Sequence, residues 1–464
     1  MNPELAFAPV TELGQRLRKG EFTSLQLTEF FLDRLKQFGP TYNAVVTRTD
    51  DLARQAAQQA DEERRAGQDR GPLHGIPYGV KDLLATKGIP TSWGAAPLKD
   101  QIIDSDATVI QKLRAAGGVL VAKLAMVELA GGFGYRQANC TFTGPGRNAW
   151  NRDRWAGGSS SGPGSAVGAG LVPFAIGSET SGSIITPACY NGLSGLRPTY
   201  GRVSRHGAMA LSWSLDKIGP MCRTVEDAAT VFAAIAGPDE ADPTVHGGPY
   251  QIATVSPSRR FRCLVLSGAE EQIQEAVKAN YRQSLKMLGE MADIQETTLP
   301  DLPYGAVVST IIACEMAAAF EELIRSGQVW ELTAPEDRWG GHSGLVIPAK
   351  DYINAQRVRT RIQQAMNACL RGYDAIVTPT LTTVAGPIDT EFRHWPKGFS
   401  STPIGTAGNA AGLPALTLAN GFDEDGLPTG LLLTGKPHDE ATLFALGQRL
   451  QQVTNWHTRH PPVG

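Results

Sequence analysis

A helix and a strand made of small residues are stable only when something is pressed against both. Residues 164–179, GSAVGAGLVPFAIGSE, read as such a pair: a helix of Gly, Ser and Ala feeding an apolar strand. Small side chains let a helix approach a sheet closely, so this stretch belongs in a layered α/β core. Two Ser-Gly clusters bracket it, Gly157 to Gly162 and Ser178 to Ser183. A flexible linker has the same composition but lacks the helix-strand unit between its glycines.

The rest of the chain is consistent with that core. The runs GIPYGVKDLL, VIQKLRAAG and VLVAKLAM alternate strand-like and helical character, the pattern of an α/β arrangement. Upstream, Leu25, Leu27, Phe30, Phe31 and Leu35 recur at near-helical spacing. Thr23 or Ser24 caps that helix and Gly39-Pro40 stops it. A second, more exposed helix is expected from Asp50 to Glu63. Residues 240–262 read as a polar, Pro-rich loop, and 270–372 as three helical stretches. Strand-like DAIVTPTL and ALTLA and a terminal helix, TLFALGQRLQQVT, follow. Strand signals on both sides of the helical stretch predict one mixed β-sheet gathering both ends of the chain, with helices on both faces. The expected division is an N-terminal helical segment over 1–65, a catalytic core over 66–240, a helical and loop insert over 241–372, and a C-terminal part over 373–464 completing the same core.

Composition excludes several functions. The 464 residues carry a net charge of −3 and no basic cluster, which argues against nucleic-acid or anionic-membrane partners. The most apolar window, AVGAGLVPFAIG, is too short to span a bilayer and holds Gly and Pro. The N-terminus lacks the charged-then-apolar order of a secretion signal, so a cytoplasmic protein is expected. Cys140, Cys189, Cys222, Cys263, Cys314 and Cys369 are scattered, with no C-x-x-C pair. They read as free thiols, and neither they nor the eight dispersed histidines suggest a metal site or a cofactor.

A Gly-rich turn can aim several backbone N–H groups at one point, the hardware of an anion nest or oxyanion hole. The phosphate-loop pattern is absent here, because no Lys follows the glycines. A Ser closing such a turn can act as a nucleophile if a base reaches it. No His lies near the motif in sequence. Lys81, among Ile76, Val80, Leu83 and Leu84, is either a snorkelling surface lysine or a buried one whose amine is kept neutral.

Together, PLHGIPYGVKD, GGSSSG, SETSGSIITPA, GLRPTYGRVS and SLDKIGPMCRTVEDAA resemble the amidase signature family. The likeness runs from the first helix to PTGLLLTGKPHDEATL. That family includes bacterial amidases, fatty-acid amide hydrolases and the A component of glutamyl-tRNA amidotransferase. The resemblance implies a Ser–cis-Ser–Lys triad, with Ser183 as nucleophile, Ser159 as bridging serine 24 positions earlier, and Lys81 as base. It implies a cis peptide in the Gly158–Ser159–Ser160 region and an oxyanion hole from Thr180, Ser181, Gly182 and Ser183. Met126 either matches a position lining the substrate channel or is a buried core Met, and Ser178-Glu179 correspond to a pair supporting the turn.

The chain departs from the family pattern at three places. Ser181 and Ser161 replace glycines, and Ile185 stands where an Arg is usual; the change is either local repacking or the loss of a cation that makes the pocket more apolar. Trp330, Trp339, Leu345 and Ile347 either line a substrate channel or anchor the core. The expected activity is hydrolysis of a small amide, carbamate or ester by a monomer or homodimer through an acyl-enzyme. The alternative is the glutaminase component of a tRNA-dependent amidotransferase. Glutaminase members carry an Arg-containing stretch before a tyrosine-rich segment; this chain reads TAPEDRWGGHSGLVIPAKDYINAQRVR there, with Arg338 at no matching spacing.

Overall fold

A computed structural model describes residues 1–462 apart from 253–255, 257 and 396–401. Eleven strands form one mixed sheet in the order β1-β3-β2-β4-β6-β5-β10-β11-β9-β7-β8. They are β1 (Val45–Arg48), β2 (Pro77–Lys81), β3 (Val119–Leu124), β4 (Phe174–Glu179), β5 (Ser194–Arg197), β6 (Lys217–Cys222), β7 (Phe261–Leu266), β8 (Ala292–Thr297), β9 (Ala375–Pro379), β10 (Ala415–Phe422) and β11 (Pro428–Thr434). Strands from both ends of the chain meet where β5 pairs with β10, so the sheet is continuous. Helices cover its two faces, and β2, β3, β4 and β6 are buried at every position, as strands covered on both faces must be.

The small-residue pair folds as its composition requires. The helix Ser161–Gly168 is wholly buried and leads into β4. A side chain at Gly162 would lie 2.4 Å from Ala125 N and 2.6 Å from Ala44 O, so only glycine admits the backbone contact that seats this helix.

Four boundaries differ from the sequence reading. The first helix runs from Ser24 to Tyr42, through Pro40, under a reciprocal Thr23–Gln26 cap. It ends at Asn43, which takes φ +50° and donates to Pro40 O. The second continues from Asp50 to Arg65. The expected helix VSTIIACEMAAAFEELIR breaks at Phe320 into Tyr304–Ala319 and Glu321–Arg325, and the Phe320 ring packs against Trp93 and Phe133. The stretch expected to hold only loops and helices also supplies β7 and β8; part of the expected 240–262 loop, at 253–255 and 257, lies outside the described residues. All six cysteines are free, four of them buried.

Candidate active site

β2 and β4 are parallel neighbours, Gly79 opposite Ala175 and Val80 opposite Ile176. Their C-terminal ends therefore deliver Lys81 and Ser178-Glu179 to the same edge of the sheet. In open α/β sheets this carboxyl edge is where ligands bind. The segment entering the Ser161–Gly168 helix brings Ser159 and Ser160 to that edge, with a cis peptide between Gly158 and Ser159.

Lys81 has no solvent exposure. Its Nζ lies 2.7 Å from Ser159 Oγ and 3.0 Å from Ser178 Oγ. Its sequence neighbour Asp82 is bound elsewhere, to Lys123 and Ser92. Burial therefore dominates: it lowers the Lys81 pKa to about 7, against a weaker upward pull from Asp216 and Glu179. A lysine whose partners are hydroxyls and whose pKa is near neutrality can exchange a proton with them.

Ser183 sits across from this pair. Its carbonyl accepts from Ser160 N at 3.2 Å, and it is 8% exposed. Among the described residues, no hydrogen bond joins the side chains of Ser159 and Ser183. The Lys81–Ser159 half of the expected relay is thus in contact, and Ser183 is held beside it through the backbone.

The turn from Thr180 to Ile185 is fixed from several sides. Thr180 Oγ1 donates to Asp216 Oδ1 at 2.5 Å. The Glu179 carboxylate accepts from Ile184 N at 3.0 Å and Ile185 N at 3.1 Å. It also accepts from Arg197 at 3.1 Å and Asn409 at 3.0 Å. Burial alone would raise the Glu179 pKa; Arg197, Lys217 and the two N–H groups outweigh it and bring it to about 2. Among the described residues, the N–H groups of Ser181, Gly182 and Ser183 donate to no protein acceptor.

The two Gly-to-Ser departures have a simple cause. The left-handed positions in these clusters are Gly157 at φ +84° and Gly182 at φ +91°. Ser161 and Ser181 are not among the residues with positive φ, so a Cβ there carries no backbone penalty.

Ile185 is 5% exposed and packs with Leu215, Ile404 and Ala407. Met126 is fully buried in the core, against Gly94. Trp330 and Trp339 meet edge to face at the surface, 44% and 67% exposed. Arg338 donates to its own segment, at Leu332 O. The sequence reading missed Asp216, Lys217, Arg197 and Asn409. The signal for the first three was in SLDKIGP and GLRPTYGRVS, while Asn409 lies in neither, and the ties to Glu179 and Thr180 span 18 to 230 positions.

A mixed sheet with a buried lysine and several serines gathered at its carboxyl edge is the candidate active site of an α/β protein. The chain belongs to the amidase family, whose model matches residues 26–444. It is 38% identical to the A component of the glutamyl-tRNA(Gln) amidotransferase of Chloroflexus aggregans, over 99% of each chain. Among solved structures it resembles the native peptide amidase of Stenotrophomonas maltophilia, with TM-score 0.84 and 31% identity over 97% of both chains. It also resembles a protein of a vestigial complex tied to the origins of an s-triazine catabolic enzyme. That match has TM-score 0.87 and 30% identity, over 96% of this chain and 98% of the other. No helix among the described residues is long and apolar enough to cross a membrane.

Proposed function

We propose that the protein hydrolyses the C–N bond of neutral, largely apolar amides and carbamates, and the acyl C–O bond of related esters, through an acyl-enzyme on Ser183. The observation that carries this is the buried Lys81 amine, 2.7 Å from Ser159 Oγ and 3.0 Å from Ser178 Oγ. A neutral amine held among hydroxyls is a base for serine chemistry.

In this reading Ser183 Oγ turns toward Ser159 and attacks the carbonyl carbon. Its proton passes to Ser159 Oγ, whose own proton passes to Lys81 Nζ. The carbonyl electron pair moves onto oxygen, and the N–H groups of the 180–183 turn stabilise that charge. The C–N bond then breaks, with the proton returning through Ser159 to the leaving nitrogen. Water, deprotonated by the same relay, releases the acid and restores Ser183. Ile185 in place of a cation favours uncharged acyl groups, because burying a carboxylate without a partner is costly.

A second reading, the glutaminase component of a tRNA-dependent amidotransferase, is favoured by the curated relatives, which match end to end and are named for that amidotransferase. They weigh more toward it than toward the first reading. The site weighs the other way, since Ile185 is apolar and Arg338 is tied to its own backbone. One substrate panel separates the two: p-nitroanilides of apolar acids, p-nitrophenyl carbamates, a fatty amide and glutamine. The first reading predicts that neutral substrates exceed glutamine by at least about a hundredfold in kcat/KM. Glutamine turnover comparable to the best neutral substrate establishes the second.

A further inference from the structure

A second buried lysine lies beneath the turn. Lys217 opens β6 opposite Glu179 of β4 and is 2% exposed. Its Nζ donates to Thr180 O at 3.2 Å and to Asn409 Oδ1 at 2.7 Å. Asn409 is itself oriented by donating to Glu179 Oε1 at 3.0 Å and Gly405 O at 2.9 Å, so its amide oxygen is committed to the lysine. Among the described residues, Lys217 is the one lysine or arginine side chain that donates to a carbonyl of the 180–185 turn.

The consequence lies in the peptide unit. The Thr180 carbonyl and the Ser181 N–H share one conjugated, planar group. A donor on the oxygen draws electron density toward it and leaves the N–H a stronger donor. Among the described residues, the Ser181 N–H is one of the three in this turn that no protein acceptor takes up.

Charge compensation alone does not account for Lys217. Glu179 already has Arg197 at 3.1 Å. Asp216 accepts from Leu211 N at 2.8 Å, Ser212 N at 3.0 Å and Thr180 Oγ1 at 2.5 Å. We infer that Lys217 is a positioning residue of the oxyanion turn: by bonding Thr180 O it fixes and polarises the Thr180–Ser181 peptide, so that the Ser181 N–H stabilises the charge developing on the substrate oxygen. This rests on the proposed acyl-transfer function of Ser183.

The test compares two inhibitors on the full chain. A trifluoromethyl ketone adds Ser183 Oγ to its carbonyl carbon; the π pair goes to oxygen and the serine proton to the Ser159–Lys81 relay, so the adduct carries the oxyanion. The matching alcohol carries no such charge. Lys217→Met is expected to lower kcat and ketone affinity each about tenfold, less than the 10²–10³ typical of losing a donor outright. KM and alcohol affinity should stay within about threefold. Lys217→Gln keeps a donor without the charge and is expected to lose about threefold in ketone affinity alone; it carries the test if the Met variant does not fold. Ketone affinity and kcat within twofold of wild type in the variants, or equal losses of ketone and alcohol affinity, overturns the role of Lys217. Ketone binding that survives Ser183→Ala at full strength overturns the Ser183 chemistry beneath it, whatever the Lys217 variants do.

Discussion

Lys81 and Lys123 stand on neighbouring parallel strands, Lys81 in register with Leu124 and Lys123 with Val80, and neither has any solvent exposure. Their surroundings are opposite. Lys123 has the Asp82 carboxylate at 3.2 Å and Thr91 Oγ1 at 2.7 Å, and Asp82 is further held by Ser92. Lys81 has two serine hydroxyls. A buried amine with a carboxylate beside it is part of the structure; a buried amine among hydroxyls is free to move a proton. Asp82 follows Lys81 directly in sequence yet serves the other lysine, and that exchange of partners leaves Lys81 available.

The largest expected effect comes from removing the unpaired lysine. Lys81→Met should lower kcat by about 10³–10⁴, the upper range for a lost acid-base group, while thermal stability is retained or rises, because a desolvated amine is replaced by an apolar chain. Turnover and a melting scan on one preparation check both halves. A loss of folding comparable to the loss of rate would erase the contrast with Lys123.

Lys123→Met should do the reverse. It strands Asp82 in the interior without its cation, a change that typically costs about 3–5 kcal/mol. Activity per folded molecule should stay within a few-fold. Asp82→Asn added to Lys123→Met should recover part of the stability, read as the urea midpoint. A double variant no more stable than the single one would mean that the pair is not the source of the loss.

Much of this contrast could be read from the chain, and some could not. Lys81, Ser159 and Ser183 stand out because the motifs around them are local and long. The wholly buried helix Ser161–Gly168 is legible for a similar reason: its lack of large side chains leaves no other place for it. β8 was missed because its sequence does not look buried, and β7 (FRCLVL) because its short apolar run sits at the end of the polar, Pro-rich stretch. ADIQET lies at the sheet edge with most positions exposed, so it lacks the apolar alternation that reveals a strand. The division of labour between the lysines is invisible for a different reason. Asp82 adjoins Lys81 in sequence, and only the folded ion pair shows that it serves Lys123.

The pH response sharpens the comparison further. With a Lys81 pKa near 7, kcat/KM for a neutral substrate should climb about tenfold per unit on the acid side of pH 7 and level off above it. Stability has its own sign. The unfolded amine holds its proton up to about pH 10.4, while folded Lys81 has released it by about 7. The unfolded state therefore binds more protons across that window, and stability rises with pH through it. Lys81→Met should remove this contribution to the slope of unfolding free energy against pH. An unchanged slope between pH 7 and 10 would assign it to other groups, with Lys217, whose pKa burial also lowers, the first to examine.

The smallest effect concerns the pocket wall rather than the proton. Ile185 packs with Leu215, Ile404 and Ala407, and its N–H is bound to Glu179. In the proposed function it forms apolar surface beside the turn, at a position where the family resemblance implies a cation. Each substrate methylene buried against such a surface contributes about 0.8 kcal/mol, or about fourfold in kcat/KM. A series of straight-chain acyl p-nitroanilides should therefore show kcat/KM rising about fourfold per carbon until the pocket is filled. Ile185→Ala removes part of the wall while leaving the backbone bond to Glu179 in place, so it should flatten that rise and leave the shortest substrate nearly unaffected. A flat series in the wild type would mean that the acyl group stays in water. A slope equally steep in the Ala variant would place the hydrophobic surface elsewhere and remove Ile185 from the substrate pocket.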